Sequence, residues 1–467
     1  MTQPPVDLAV IGGGIAGLAA AWSAQRAGLT VQLFETARQV GGKVRSEQRD
    51  GYLIEWGPNS FLGSHDALWQ LIEQTGLGPQ VVRGKPPGAR YIYRHRKARQ
   101  LPSGPGSLLT GDYMSLGGKL RMLAEPFMLG DAQEGETVLA FASRRLGAEA
   151  AQYLVTPFVS GIYAGDPDRL GARDAFPRLW QWEHEAGSVA LGALLGVSTR
   201  QSADATQVAR ARGLYSLREG LGSLPLAIAA ALPAGSVHTR RQVTALEPAV
   251  DGGYQLRHTS TKDPSDSALL HAKRVVVATP VRAAAGLLHA LPLVGEALAK
   301  VEVCRVAVVH FGGPDPEGCA PQGFGILNPP GEGLRTLGIL FPSAVFDGRT
   351  PHGHWLHTAF LGGVRDPDAV DLPDETLLSL ARRAQQQAFG HLWPGRELPC
   401  SFHAVVRWRD AIPQYHVGHR DLMAGAVRAL EAAWPGVTLA GNHVAGISMQ
   451  DAARSGMAAV DRLTEAP

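Results

Sequence analysis

The sequence predicts an α/β protein whose later half adds an α+β unit. Three observations lead there. The chain opens on a strand, a glycine turn, a helix and a second strand. Apolar runs near residues 275 and 438 read as strands returning to that first layer. Between residues 303 and 362, four alternating runs read as a separate, largely antiparallel sheet.

Leu8 to Ile11 (LAVI) is wholly apolar and ends in two β-branched residues, which suits a strand buried on both faces. Gly12, Gly14 and Gly17 then fall in the pattern G-x-G-x-x-G. The first glycine permits a tight turn, the second lets backbone approach a pyrophosphate, and the third lets the helix pack close to the strand. The helix from Ile15 to about Arg26 would turn its free N–H groups toward phosphate. Thr30 to Glu35 is the second strand. Glu35, 23 residues after Gly12, is placed to accept hydrogen bonds from ribose hydroxyls. The elements agree on a bound dinucleotide. The second glycine turn, Gly41-Gly42-Lys43-Val44-Arg45, looks like that of the two-domain flavoproteins and narrows the choice to FAD. No second G-x-G-x-x-G follows a strand, since Pro225 stands where the third glycine would be. Electrons must therefore come from the substrate and not from bound NAD(P)H.

At 467 residues, two or three domains are expected. A net charge of +2 gives no general case for nucleic acid. The first apolar stretch belongs to the glycine motif, so no signal peptide is expected, and no apolar run is long enough for a transmembrane helix. Cys304, Cys319 and Cys400 are widely spaced and form no C-x-x-C.

Gly57-Pro58-Asn59-Ser60 is a turn by composition and a candidate lining for the flavin ring. Residues 83–105 carry seven basic residues and no acid. They are either a solvated face or, at Arg90, a bidentate partner for an anionic substrate. Residues 103–196 read as mainly helical. The cluster Leu108, Leu109, Met114, Leu116, Leu120, Met122, Leu123, Phe127, Met128 and Leu129 is either helical core or a basic-rimmed surface dipping into a bilayer. Residues 201–211 read as an exposed polar loop. Val243 is the expected cofactor-facing residue of the strand at 236–246. His352, His354 and His357 have no carboxylate or cysteine beside them, and no metal site is expected. The helix after Ile447-Ser448-Met449 would aim its N-terminus at the flavin pyrimidine and stabilise negative charge there.

GPNSFL (57–62), FVSGIYAGDP (158–167), GFGIL (323–327), RTLGILF (335–341), AFLGG (359–363) and AIPQYHVGH (411–419) together resemble the protoporphyrinogen oxidase family, in order and spacing, nearly end to end. Its sister activity oxidises coproporphyrinogen III. The resemblance implies an FAD-binding Rossmann-like domain, a mixed-sheet substrate domain and an α-helical membrane-associated domain. The corresponding divisions are 1–89, 212–280 and 435–467; 281–434; and 90–211.

The resemblance also implies site residues. Arg90 pairs with a propionate. Leu327, Leu340 and Phe360 sandwich the tetrapyrrole, and the Gly161 carbonyl faces its ring nitrogens. Non-covalent FAD meets Gly12, Gly13, Gly14, Ile15, Ala16, Gly17, Glu35, Gly42, Lys43, Gly57, Pro58, Asn59, Ser60, Val243, Trp408, Gly441, Ile447, Ser448 and Met449. Trp408 reads equally well as a core tryptophan. No side chain is singled out as a catalytic acid or base. Three rounds of hydride removal to flavin, each followed by reoxidation with oxygen to hydrogen peroxide, would yield the porphyrin. The implied partners are the porphyrinogen, molecular oxygen, a membrane surface, a ferrochelatase-type enzyme downstream and a second copy of the chain. The implied location is cytoplasmic and peripheral to the membrane. Basic residues 94–99 keep a four-carboxylate substrate in play beside a two-carboxylate one. The nearest rival is a non-covalent flavin amine oxidase, because no cysteine follows Cys400 to carry flavin covalently.

Overall fold

The computed structural model describes residues 5–64, 66–85, 88–128, 130–198, 210 and 213–465. Among them, two seven-stranded sheets position the site. In the first, Val237–Thr239, Val31–Glu35, Val6–Ile11 and the end of Ser267–Val277 lie side by side in parallel, and Val437–Leu439 pairs with that same end. Ser267–Val277 is long enough for two tasks. Its first half joins an antiparallel meander with Tyr254–Ser260 and Arg241–Pro248. Leu8, Ala9, Val10 and Ile11 are all buried, as a wholly apolar central strand requires. The helix Ile15–Arg26 covers one face and buries nine of its twelve residues, because Ser223–Ala231 and Met449–Glu465 pack on its outer sides. Each leucine or isoleucine so buried contributes about 1.5–3 kcal/mol.

The second sheet runs Phe402–Trp408, Val306–Pro314, His354–Gly362, Thr336–Leu340, Gly325–Leu327, Arg90–Arg94, Lys97–Gln100. Residues 90–100 thus form strands of this sheet, although the sequence division grouped them with the helical segment. The reason is a long-range pairing: Arg90–Ile92 runs parallel to Gly325–Leu327. One sheet face carries Ala307, Val309, Ile326, Ile339, Ala359 and Leu361 and is buried under the helix Asp374–Phe389. His357 belongs to that core, with its Nδ1 2.8 Å from Gln385. His354 instead reaches the Tyr52 hydroxyl, and all three cysteines are free.

The helical segment includes Leu116–Leu123, Val138–Leu146, Thr156–Tyr163, Pro177–Ala186 and Val189–Ser198. Its buried charges are fully partnered. Arg145 pairs with Glu125 and Glu183, and Glu125 also accepts from the Ser188 hydroxyl and the Val189 and Ala190 N–H groups. Removing one member would strand a buried charge, at a cost of about 3–5 kcal/mol. The apolar cluster divides. Met114 is buried, whereas Leu116, Leu120, Leu123 and Phe127 are exposed. Leu129 and the polar run 201–211, apart from Arg210, lie outside the described residues.

Candidate active site

The nucleotide end is built almost entirely from backbone. Gly12 has φ +108°, and its N–H donates to the Phe34 carbonyl at 2.8 Å. A Cβ at Gly17 would lie 1.9 Å from the Gly12 carbonyl oxygen, which explains the third glycine. Glu35 accepts from the Gly13 N–H at 2.8 Å and from the Ala37 N–H at 2.7 Å, so its carboxylate is fixed beneath the turn. The Gly41 N–H donates to the Gly13 carbonyl at 2.7 Å and docks the second glycine turn on the first.

A dinucleotide fits this arrangement. A Cβ built on Gly14 meets nothing within 4 Å, so the turn faces open space. The helix that follows has no side-chain cap and no acid in its first turn, which leaves its N–H groups for an anion. Thr279 Oγ1 and His443 Nε2, on the segments that run past the turn, are buried without hydrogen-bond partners. Burial holds the Lys43 ammonium below the usual lysine range, with Asp410 opposing. Val243 stands opposite His258, whose ring lies 4.6 Å from Phe34, next to Glu35.

The segments expected at the flavin ring converge on the gap between the two sheets. A Cβ at Gly57 would lie 2.3 Å from the Lys43 carbonyl oxygen, so the turn at 57–60 touches the second glycine turn. The Asn59 side-chain amide bonds the Gly57 carbonyl and stiffens it. Trp408 Nε1 donates to the Trp56 carbonyl at 2.7 Å, tying this turn to the second sheet. Trp408 also packs, as Phe360 and Val406 do, against the small core of Cys304, Val306 and Val308, as a core tryptophan would. At the far end of the chain Ser448 caps the helix Met449–Glu465, accepting from the Asp451 N–H and donating to the Asp451 carboxylate. The Gly441 N–H donates to Ser455 of the same helix.

Strand register collects the residues expected at the substrate. Ile92, Leu327, Gly338, Phe360, Val308 and Val406 form one row across the second sheet. Arg90, Gly325 and Leu340 form the next row on the same face. Leu327, Leu340, Phe360, Trp408 and Arg90 thus all project from the face opposite the Asp374–Phe389 helix. Gly161 meets them from above: a Cβ there would lie 2.7 Å from a Leu327 methyl.

A cavity of about 500 Å³ continues from Arg90 and Leu327 into the helical segment. Its walls include Tyr113, Phe141, Leu154, Val155, Phe158 and Phe176, of which only Phe158, the first residue of the motif at 158–167, stood out in the sequence. A signal for two of them exists. Pro157 lacks an N–H, and its ring would strike the carbonyl of Tyr153, so the helix widens into a π turn over Ala151–Val155. That places Leu154 and Val155 in the cavity wall. Arg145 also borders the cavity but is committed to Glu125 and Glu183. Arg94 and Arg99 pair with Glu149 and Asp112. Of the basic run, Arg90 is the residue that lines the cavity; it is exposed, lies 5.6 Å over the Phe324 ring, and has no ion pair among the described residues.

Residues 15–464 match the family model described as flavin containing amine oxidoreductase. The chain is 31% identical to protoporphyrinogen oxidase 1, chloroplastic, of Arabidopsis thaliana, over 96% of this chain and 86% of that one. It is 30% identical to coproporphyrinogen III oxidase of Bacillus subtilis (strain 168), over 99% of each. The crystal structure of a protein from Exiguobacterium sp. 255-15, provisionally described as a protoporphyrinogen oxidase, superposes with TM-score 0.82 at 24% identity, covering 99% of both chains.

Proposed function

The chain belongs to the family of flavin-containing amine oxidoreductases, and on that premise we propose that it oxidises protoporphyrinogen IX to protoporphyrin IX in haem biosynthesis, with oxygen as final acceptor. Its cofactor is FAD, which when bound accepts hydride from the substrate and returns the electrons to oxygen. The chain's own residues bind, orient and exclude water. Glu35 and the two glycine turns hold the nucleotide half. The turn at 57–60 and the Ser448-capped helix face the ring. Leu327, Leu340 and Phe360 press on the macrocycle while Arg90 takes a propionate.

The observation that carries this reading is the apolar cavity with a single uncommitted guanidinium on its wall. A porphyrinogen with two carboxylates suits it. A four-carboxylate substrate would need further cations, and Arg94, Arg99 and Arg145 are already paired. Purified FAD-loaded protein in air, given protoporphyrinogen or coproporphyrinogen, tests this by the rise of porphyrin fluorescence. A clear preference for protoporphyrinogen is expected. Equal or greater turnover of coproporphyrinogen would reassign the substrate, and no rise with either would end the reading.

No helix among the described residues is long and apolar enough to cross a membrane. Leu116, Leu120 and Leu123 share a helix face, and Phe127, Leu191 and Leu194 extend it across the adjoining segments. We infer that this patch rests on a bilayer surface. Leu120→Asp with Phe127→Asp should abolish co-sedimentation with lipid vesicles, and unchanged sedimentation would remove the patch from that role.

A further inference from the structure

Glu55 ends the strand Tyr52–Glu55, immediately before the turn that begins at Trp56, and is only 4% exposed. The Ser46 hydroxyl donates to its Oε2 at 2.5 Å and the Leu221 N–H to its Oε1 at 2.9 Å. The Gly222 N–H in turn donates to the Ser46 hydroxyl at 2.7 Å. The facing cation is Arg349, itself buried, from the loop before His354–Gly362. Its Nη1 stands 3.9 Å from Glu55 Oε1 and makes no hydrogen bond, while its Nη2 donates to Ser216 at 2.6 Å. His310, from Val306–Pro314, is the other titratable group packed here. It touches the Glu55 main chain, and burial holds it neutral, down at about 3. Neutral Ser46, Ser216 and Leu221 complete the surround.

This pair is loose where a charge-assisted bidentate contact would be close to 2.8 Å. The Glu125–Arg145 pair shows what full commitment looks like in the same molecule. Burial pushes the Glu55 acid up to about 7, against the Ser46, Leu221 and Arg349 contacts. The carboxyl can therefore gain or lose its proton under ordinary conditions. The same strand receives Arg349 directly, because the Leu53 N–H donates to the Arg349 carbonyl at 3.0 Å. One residue further on, the Trp56 carbonyl holds the Trp408 indole.

We propose that Glu55 is a positioning residue for the turn Trp56–Ser60: loss of its proton draws Arg349 inward, shifts the turn, and makes the surroundings of the bound flavin depend on pH. This rests on the flavin-facing assignment of residues 57–60 and is independent of which porphyrinogen is oxidised. Glutamine at this position keeps the shape and the Leu221 bond but does not ionise.

The test uses FAD-loaded protein between about pH 5.5 and 8.5, following the flavin absorbance and midpoint potential together with the Glu55 carboxyl stretch in the infrared. The natural protein should show one shared inflection near pH 7 in all three. Glu55→Gln should hold the low-pH flavin spectrum throughout. Ser46→Ala removes a donor that favours the carboxylate and should move the inflection up by about one pH unit, which decides the matter even if Glu55→Gln does not fold. An inflection that survives Glu55→Gln, or that ignores Ser46→Ala, overturns the role of Glu55. A carboxyl that titrates beneath an unchanging flavin signal overturns instead the placement of the turn at the flavin.

Discussion

The proposed nucleotide end and the proposed substrate face are built by opposite means. At the nucleotide end, contacts come from backbone N–H groups and from room left by absent side chains: Gly12, Gly14, Gly17 and Gly41 lie within thirty residues of one another, and one carboxylate, Glu35, is fixed by two of the chain's N–H groups. At the proposed substrate face, the candidate contacts are side chains on strands far apart in sequence, and only register brings them to one side. A backbone site tolerates almost no added atom. A side-chain site loses what each side chain contributes and keeps the rest. The two should therefore fail differently.

The largest effect is expected at Gly17. Alanine there puts a methyl 1.9 Å from the Gly12 oxygen, so the turn must open. The cost is about 3 kcal/mol or more, and the purified protein should lack flavin absorbance. Retained flavin would show that the nucleotide end is more plastic than its geometry says. Arg90→Ala should leave flavin content unchanged and raise KM about 10- to 100-fold, the loss of about 2 kcal/mol expected for a charge-assisted hydrogen bond. Flavin loss in that variant would join the two ends that the comparison separates.

The smallest effect, taken per residue, is one both ends share. His310 and His357 in the second sheet and His443 beside the nucleotide turn are fully buried, and burial holds each neutral, down at about 3. Their folded values lie below the unfolded value near 6.5. The stability they contribute is thus complete above that value and is lost as pH falls toward 3, about 1.4 kcal/mol apiece by about pH 5.5. Calorimetry at about pH 7 and 5.5 should show a single transition moving down. A transition that splits would mean that one end withstands acid better.

Much of the fold was legible because its signals are local. The apolar run Leu8–Ile11, the glycine spacing and the acid at Glu35 each depend on neighbours within a few residues, and the helix Asp374–Phe389 announces itself by its leading acids. The hairpin at 90–100 was misgrouped because its sheet is decided by Gly325–Leu327, more than two hundred residues away. The apolar cluster near 108–129 stayed two-sided because hydrophobicity alone does not separate Met114, which is buried, from Phe127, which is 83% exposed.

By itself the sequence determined the nucleotide turn, since φ, Cβ and N–H are properties of each residue where it stands, and it supplied, through resemblance, the residues at Arg90, Leu327, Leu340 and Phe360. The tertiary structure decided that these four share one sheet face with Trp408, that Arg90 is the cation of its run that lines the cavity without an ion pair among the described residues, and that Glu55 meets Arg349 at a distance too long for a firm pair. Pairing partners and burial belong to no single stretch of chain: they exist only once distant strands have chosen a register and the space between them has closed to water.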